Sequence, residues 1–326
     1  MKLALVGLAG IVVTCIAACG SSSDENANPE IGSPPAAGGG NEGTAPVSGD
    51  SATIGSGKDD GSSGASSAPN DGASLTVATN EKVDVAGDSR TFVLVTPKAI
   101  VPGKSYPVVF VFHGDGGNGD GTRKWLGLER ESGDGAVVVY PDGREASWDL
   151  YSPEASNADN AFLDAMLTAI GAKISIDTTR IFGSGYSSGA FFVNQIACRR
   201  SGFFRAIAPN AGGAPQEPED PLGSIWAGTS YTKCATQTGG VAALVMHGND
   251  DYVVGTTSGT YDARYWAYVN GCDDSEEGRT ATVPAPCMQH AACPAGKRVV
   301  YCEIPGIGHG VWTESMKASW AFFASQ

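Results

Sequence analysis

The chain is poor in cations and in histidine. Its 326 residues carry 21 Lys and Arg against 35 Asp and Glu, a formal charge of −14, and only four histidines. That balance excludes the clustered positive surface that nucleic-acid binding requires. No C-x-x-C pair occurs, and only His290 lies close to any cysteine in sequence, so a thiolate zinc site is not expected. No internal repeat is present, which excludes a solenoid or propeller. Apart from positions 3–17, no apolar run approaches membrane-spanning length, and that one is too short for a confident span. Between positions 19 and 73 large apolar side chains are almost missing, so this stretch cannot offset its own ordering entropy.

These gaps divide the chain. Positions 1–18 read as a secretion leader: Lys2 is the basic start and Leu3 to Ala17 the apolar stretch. The end, Ile16-Ala17-Ala18-Cys19-Gly20, resembles a bacterial lipobox, which makes Cys19 the expected lipid-attachment site and the membrane an expected partner. Residues 19–73 read as a disordered tether of Gly, Ser, Ala and acids. It holds eight acids against Lys58, half of the net charge, and a flexible chain of that length reaches roughly 40 Å. Residues 74–326 suffice for one domain with a sizeable core. Six cysteines remain there (Cys198, Cys234, Cys272, Cys287, Cys293, Cys302), an even number that in an exported protein points to three disulfides.

Within 74–326 strand-like and helix-like runs alternate. Ser74–Ala78 and Thr91–Thr96 open as an antiparallel pair. Val108–His113, Ala136–Tyr140, Arg180–Phe182, Phe204–Ala208, Val241–Met246 and Arg298–Ile304 read as strands, several of them continuously apolar and so buried on both faces. Asp159–Ala172, the segment after Gly189, Tyr261–Val269 and Trp312–Phe323 read as helices. The alternation predicts an α/β fold, a doubly wound and mostly parallel sheet.

The chemistry sits at the predicted strand ends. Gly185-Tyr186-Ser187-Ser188-Gly189 is a G-x-S-x-G between a strand and a helix, the setting of a nucleophile elbow. A serine needs a base, and the base an orienting acid, in the chain order Ser, acid, His. His309, in Gly306-Ile307-Gly308-His309-Gly310 just past the last strand, occupies the base position. After Val241–Met246 comes His247-Gly248-Asn249-Asp250-Asp251, where both aspartates qualify by spacing. An oxyanion needs fixed N–H donors. The expected pair is Ser188, after the nucleophile, and Asp115 in the glycine-rich loop His113-Gly114-Asp115-Gly116-Gly117-Asn118. No Gly-Lys-Ser/Thr follows that loop, so a phosphate cradle is not expected.

This set resembles the secreted esterase family that groups feruloyl esterases, acetylxylan esterases and polyhydroxybutyrate depolymerases. The matching elements, within residues 90–315, begin with Tyr106-Pro107-Val108-Val109, His113-Gly114-x-Gly116-Gly117, Tyr140-Pro141-Asp142-Gly143 and the elbow. Phe204-x-Ala206-Ile207-Ala208-Pro209-x-Ala211-Gly212, His247-Gly248-x-x-Asp251-x-x-Val254, Asn270-Gly271-Cys272 and Gly306-x-Gly308-His309 follow. The resemblance implies an α/β-hydrolase fold and assigns the acid to Asp251. It implies pairing of Cys272 with Cys302. The expected set is then Cys198–Cys234, Cys272–Cys302 and Cys287–Cys293. It also implies substrate contacts for Trp148 and Trp312, although Trp312 stands three residues after His309 instead of two, and no proline follows it.

The expected activity is therefore an extracytoplasmic serine esterase with the triad Ser187, Asp251, His309, needing neither metal nor organic cofactor. Its expected substrates are feruloyl or acetyl esters on plant polysaccharide. A polyhydroxybutyrate depolymerase is the alternative within the class. A non-catalytic glycan-binding surface lipoprotein is the alternative outside it.

Overall fold

A computed structural model describes residues 74–215, 225–234 and 239–326. The leader, Cys19 and the tether lie outside the described residues. Among the described residues no helix is long and apolar enough to cross a membrane.

Ten strands form one sheet: β1 (Leu75–Val85), β2 (Asp88–Pro97), β3 (Tyr106–Phe112), β4 (Val137–Pro141), β5 (Ile176–Tyr186), β6 (Ala206–Asn210), β7 (Ala242–Gly248), β8 (Thr280–Ala281), β9 (Cys287–Gln289) and β10 (Val299–Ile304). Their order is β1-β2-β4-β3-β5-β6-β7-β10-β9-β8. The six central strands, from β4 to β10, run parallel. β1 and β2 at one end, and β9 and β8 at the other, are antiparallel. The helices are α1 (Gly119–Trp125), α2 (Glu129–Ser132), α3 (Ala158–Gly171), α4 (Ser188–Arg199), α5 (Thr256–Asn270) and α6 (Ser315–Ala324). The expected α/β, mostly parallel architecture is what forms.

The apolar runs explain the layering. In β3 every residue is buried. Val108, Phe110 and Phe112 enter one core with Phe162 and Met166 of α3, Phe192 and Ile196 of α4, and Trp266 of α5. Val109 and Val111 enter the opposite core with Phe322 and Phe323 of α6. Because successive side chains alternate between faces, a strand covered on both sides must be apolar at every position. Each completely buried Phe or Val stabilises by roughly 1.5–3 kcal/mol.

A buried ion pair ties the antiparallel end to this frame. Arg90 of β2 meets Asp159 of α3 at 2.8 Å and also donates to the Asp142 carbonyl. Asp159 in turn accepts the Asp149 N–H. Asp142 accepts from Gly119 N, where α1 starts, and from the Thr91 hydroxyl. The Pro141-Asp142-Gly143 turn is thus the joint between β4, β2 and α1.

The disulfides correct the expectation. Cys198–Cys234 forms as expected, whereas Cys272 pairs with Cys293 and Cys287 with Cys302. The cause is β9. It lies antiparallel on β10 with Cys287 directly opposite Cys302, Cα atoms 4.0 Å apart. Once that register forms, Cys302 is no longer available to Cys272. The chain beyond β9 returns past the end of α5, where Asp273 N donates to Ala291 O, and this brings Cys293 to Cys272. A three-residue strand has no periodicity to detect, so the register that separates Cys287 from its expected partner Cys293 is not visible in the sequence.

Candidate active site

β5 ends in the elbow. Ser187 has φ +54° and ψ −121°, outside the regions that L-residues favour, a conformation costing about 1–3 kcal/mol. Its surroundings enforce it. Ser187 N donates to Asn210 O on the neighbouring strand end, and Ser187 O accepts from Ala190 N and Phe191 N of α4. A Cβ on Gly185 would stand 2.3 Å from Gly189 O, and one on Gly189 would stand 2.4 Å from His113 O. Only glycine lets strand, helix and the β3 end converge there.

Asn210, which the sequence reading did not single out, is the buried anchor of this corner. Its amide donates to Ala208 O and Gly185 O, and its oxygen accepts from the Ser315 hydroxyl at 2.5 Å, where α6 starts. The run Ala206–Asn210 reads as strand, and nothing in it marks the amide as functional.

Ser187, Asp251 and His309 come together. His309 Nε2 lies 2.9 Å from Ser187 Oγ, and His309 Nδ1 lies 2.8 Å from Asp251 Oδ2. With Asp251 ionised, Nδ1–H donates to it and Nε2 accepts from the hydroxyl. The other carboxylate oxygen accepts from Val253 N and Val254 N, both at 2.9 Å. The Asp251 side chain is completely buried. Burial pushes its carboxyl up, but the His309 hydrogen bond and the Val254 and Val253 amides outweigh this and hold it below the usual range. Asp250 is exposed, and its N–H donates to Ile307 O. The two aspartates that spacing left equivalent therefore differ: one carboxylate faces His309, and the other's backbone laces the β7 loop to the β10 loop.

The glycine-rich loop lies against Ser187, since a Cβ on Gly114 would be 3.2 Å from Ser187 Cβ. The loop is fixed from within. His113 Nδ1–H donates to Gly114 O, and His113 Nε2 accepts from Gly143 N. Burial lowers the His113 pKa, outweighing the nearby Gly114 carbonyl and carboxylates, so the ring stays neutral as this pattern requires. The Asp115 carboxylate accepts from the Ser147 hydroxyl, and Gly116 N donates to Ala146 O. Among the described residues the Asp115 N–H has no partner, and Ser188 opens α4 with its N–H unused by the helix.

The aromatic residues divide. Trp148 is only 6% exposed; it stacks on Phe192, meets Phe112 edge-on and donates its indole N–H to His113 O. It supports the loop from the core, which departs from the expected cleft position. Trp312 is half-buried and lines a cavity of about 280 Å³ with Trp125, Leu126, Arg130, Val311 and Met316. Trp125, 53% exposed, meets the Tyr186 ring at 5.1 Å. The Tyr186 hydroxyl donates to His309 O, and its ring lies 5.2 Å from the imidazole. Nothing in the sequence marks Trp125: an aromatic in a polar helical segment gives no signal without its neighbours. A second concavity, about 410 Å³, is lined by Gly213, Ala214, Ser230, Thr257, Ser258 and Tyr261. Among the described residues no cluster of His, Cys, Asp or Glu is arranged to hold a metal ion.

No protein-family profile matches the chain. Among characterised proteins, feruloyl esterase C of Emericella nidulans is 28% identical over 201 residues, covering 60% of this chain and 67% of that protein. Feruloyl esterase D of Neurospora crassa is 26% identical over 245 residues, covering 69% of this chain and 74% of that protein. Among solved structures, an acetyl xylan esterase from Aspergillus awamori aligns with a TM-score of 0.56 at 18% identity, covering 78% of this chain and 100% of the other. At that identity the structural likeness is one of fold.

Proposed function

We propose that this chain belongs with the feruloyl esterases it is similar to and hydrolyses carboxylic esters carried by plant polysaccharide, with Ser187 as nucleophile, His309 as base and Asp251 as orienting acid. One observation carries the assignment: the unbroken hydrogen-bond line from Asp251 through His309 to Ser187, at 2.8 and 2.9 Å.

Ser187 Oγ attacks the ester carbonyl while its proton passes to His309 Nε2. The imidazolium so formed is stabilised by the Asp251 carboxylate, which the Val253 and Val254 amides keep in place. Negative charge develops on the former carbonyl oxygen, and the Asp115 and Ser188 N–H groups are the donors that meet it. The tetrahedral species collapses, and His309 returns the proton to the departing alcohol. Water, deprotonated by the same imidazole, then releases the acid from Ser187.

Feruloyl or acetyl groups are the proposed acyl groups. The exposed Trp125 ring beside Tyr186 and the adjoining cavity support a ring-bearing substrate. Three disulfides support an oxidising, extracytoplasmic setting. Lipid attachment at Cys19 is proposed with it. A Cys19→Ser chain recovered wholly in the soluble fraction would agree, and one retained on membranes would not.

The test is Ser187→Ala in purified protein, assayed on methyl ferulate, an acetyl ester and a hydroxybutyrate oligomer, together with labelling by a fluorophosphonate. Loss of both hydrolysis and labelling is expected. Hydrolysis that survives the substitution would sink the mechanism. A folded wild-type protein that neither labels nor hydrolyses would point to a glycan-binding scaffold instead.

A further inference from the structure

His247, the penultimate residue of β7, stands four residues before Asp251 and has no part in the mechanism above. Its side chain is almost completely buried. Nε2 lies 2.9 Å from Val254 O and 3.3 Å from Asp251 Oδ2. The Val254 carbonyl accepts from Nε2, so Nε2 carries the proton, and the Asp251 carboxylate lies beside it. Nδ1 is buried with no hydrogen-bond partner among the described residues. A histidine kept for packing alone would bury that nitrogen at a cost and gain nothing that an apolar side chain could not supply.

His247 Nε2 faces the acid loop. Val254 supplies its N–H to Asp251 Oδ1 and its carbonyl to His247, so one residue is held by both side chains. The ring itself cannot swing away. On α5, a Cβ at Gly259 would lie 2.5 Å from His247 Cβ and 2.8 Å from Nδ1. The loop tip has no such support, with Tyr252 92% and Val253 74% exposed. The acidic groups around the imidazole are Asp251 and, on β10, its register partner Glu303, which is exposed. His309 lies beyond Asp251.

We propose that His247 is a positioning residue for Asp251: its Nε2–H, anchored on Val254 O, holds the exposed loop closed and presents the carboxylate to His309. Oδ2 then accepts from His309 Nδ1–H with His247 Nε2 3.3 Å away, and Oδ1 accepts two N–H groups from the backbone. Both oxygens of the buried carboxylate are hydrogen-bonded, and this restrains its rotation. This rests on the assignment of Asp251 as the orienting acid.

The experiment compares His247→Leu with His247→Gln, whose amide nitrogen reaches the imidazole Nε2 position. Steady-state kinetics across pH, thermal melting and a Ser187→Ala control accompany them. His247→Leu is expected to lower kcat by about 10- to 100-fold with KM within about twofold, since the loop that presents the charged acid to His309 loses its anchor on Val254 O. Without that N–H the Asp251 carboxylate is more basic, so the acid limb of kcat/KM moves up by roughly half a pH unit. His247→Gln recovers most of both effects. Unchanged kcat, a limb that stays or moves down, or equal impairment of the Leu and Gln forms would overturn the proposal. If Ser187→Ala remained active, the triad assignment would fail first, and the two failures are thereby told apart.

Discussion

Asp251→Asn is the most searching perturbation of the site, because the substitution is nearly isosteric and both amide orientations are wrong. With the amide nitrogen toward His309, it donates to Nδ1, which must then be the bare nitrogen. The proton moves to Nε2, 2.9 Å from Ser187 Oγ, and the base can no longer accept from the serine. With the amide nitrogen turned the other way, it faces the Val253 and Val254 N–H groups at 2.9 Å, donor against donors. The first orientation costs less, since it keeps both backbone bonds. The protein therefore folds with the wrong tautomer. The corresponding change in other triads lowers kcat by ~10⁴, which corresponds to about 5.5 kcal/mol of transition-state stabilisation. The assay is kcat on methyl ferulate or an acetyl ester, with thermal melting as the check on folding. Asp250→Asn is the matched control: that side chain is exposed and its loop contact is through backbone, so activity should stay within about twofold. A loss of less than about tenfold in a stably folded Asp251→Asn protein would refute the reasoning, as would equal losses in the two variants.

Trp148→Phe keeps the stacked ring but removes the donor to His113 O, so stability should fall by about 1 kcal/mol in a melt and kcat by a factor of about 3–10 as the donor loop loosens; unaltered turnover would mean the indole N–H is incidental. Mapping peptides of the unreduced protein should recover Cys272 with Cys293 and Cys287 with Cys302, and a Cys272–Cys302 peptide would contradict the β9 register. Burial pushes the Asp262 carboxyl up to about 7 against the Asn194 and Trp266 hydrogen bonds, whereas in an unfolded chain it titrates near ~3.9. The folded state therefore holds a proton that the unfolded state releases, and the stability this gives is complete below that lower value and lost as pH rises toward the upper one. Asp262→Asn has no such proton, so its melting temperature should gain on the wild type between about pH 4 and 8, and parallel profiles would be evidence against it.

The central frame was legible because burial on both faces writes itself into composition. Val108–Phe112 and Ala242–Met246 admit no polar residue, and a run of that kind has few other fates. Ser187 and His309 were legible as candidates for a related reason: glycines crowd where backbones converge, and both lie at strand ends. Other features depend on neighbours that periodicity does not reveal. Asp250 and Asp251 differ only in which way one loop turns, and that is decided by the Val253 and Val254 amides. Cys287–Gln289 is a strand only because β10 offers it an edge. His113, Asn210 and Trp148 are ordinary buried residues by type, and their roles follow from the backbone atoms they bond.

Those bonds share a direction that bears on how the site can fail. Each member of the proposed triad is held by the end of a different strand: Ser187 by Asn210 of β6, Asp251 by the loop that leaves β7, and His309 by a loop laced to it through Asp250 N and Ile307 O. In space β6 and β7 separate β5 from β10, so the serine and its base come from strands that never pair. No hairpin or strand–helix–strand unit contains the triad, and no local segment can assemble it alone. Turnover should therefore appear only with the complete sheet, while secondary structure can form earlier. Opening of β10 and α6 would remove His309 and release the Ser315 contact to Asn210, disturbing the elbow from its far side as well. Loss of activity should then precede loss of helical signal in denaturant, because the loops that carry the chemistry are laced across strand ends and the helices are held by the two cores.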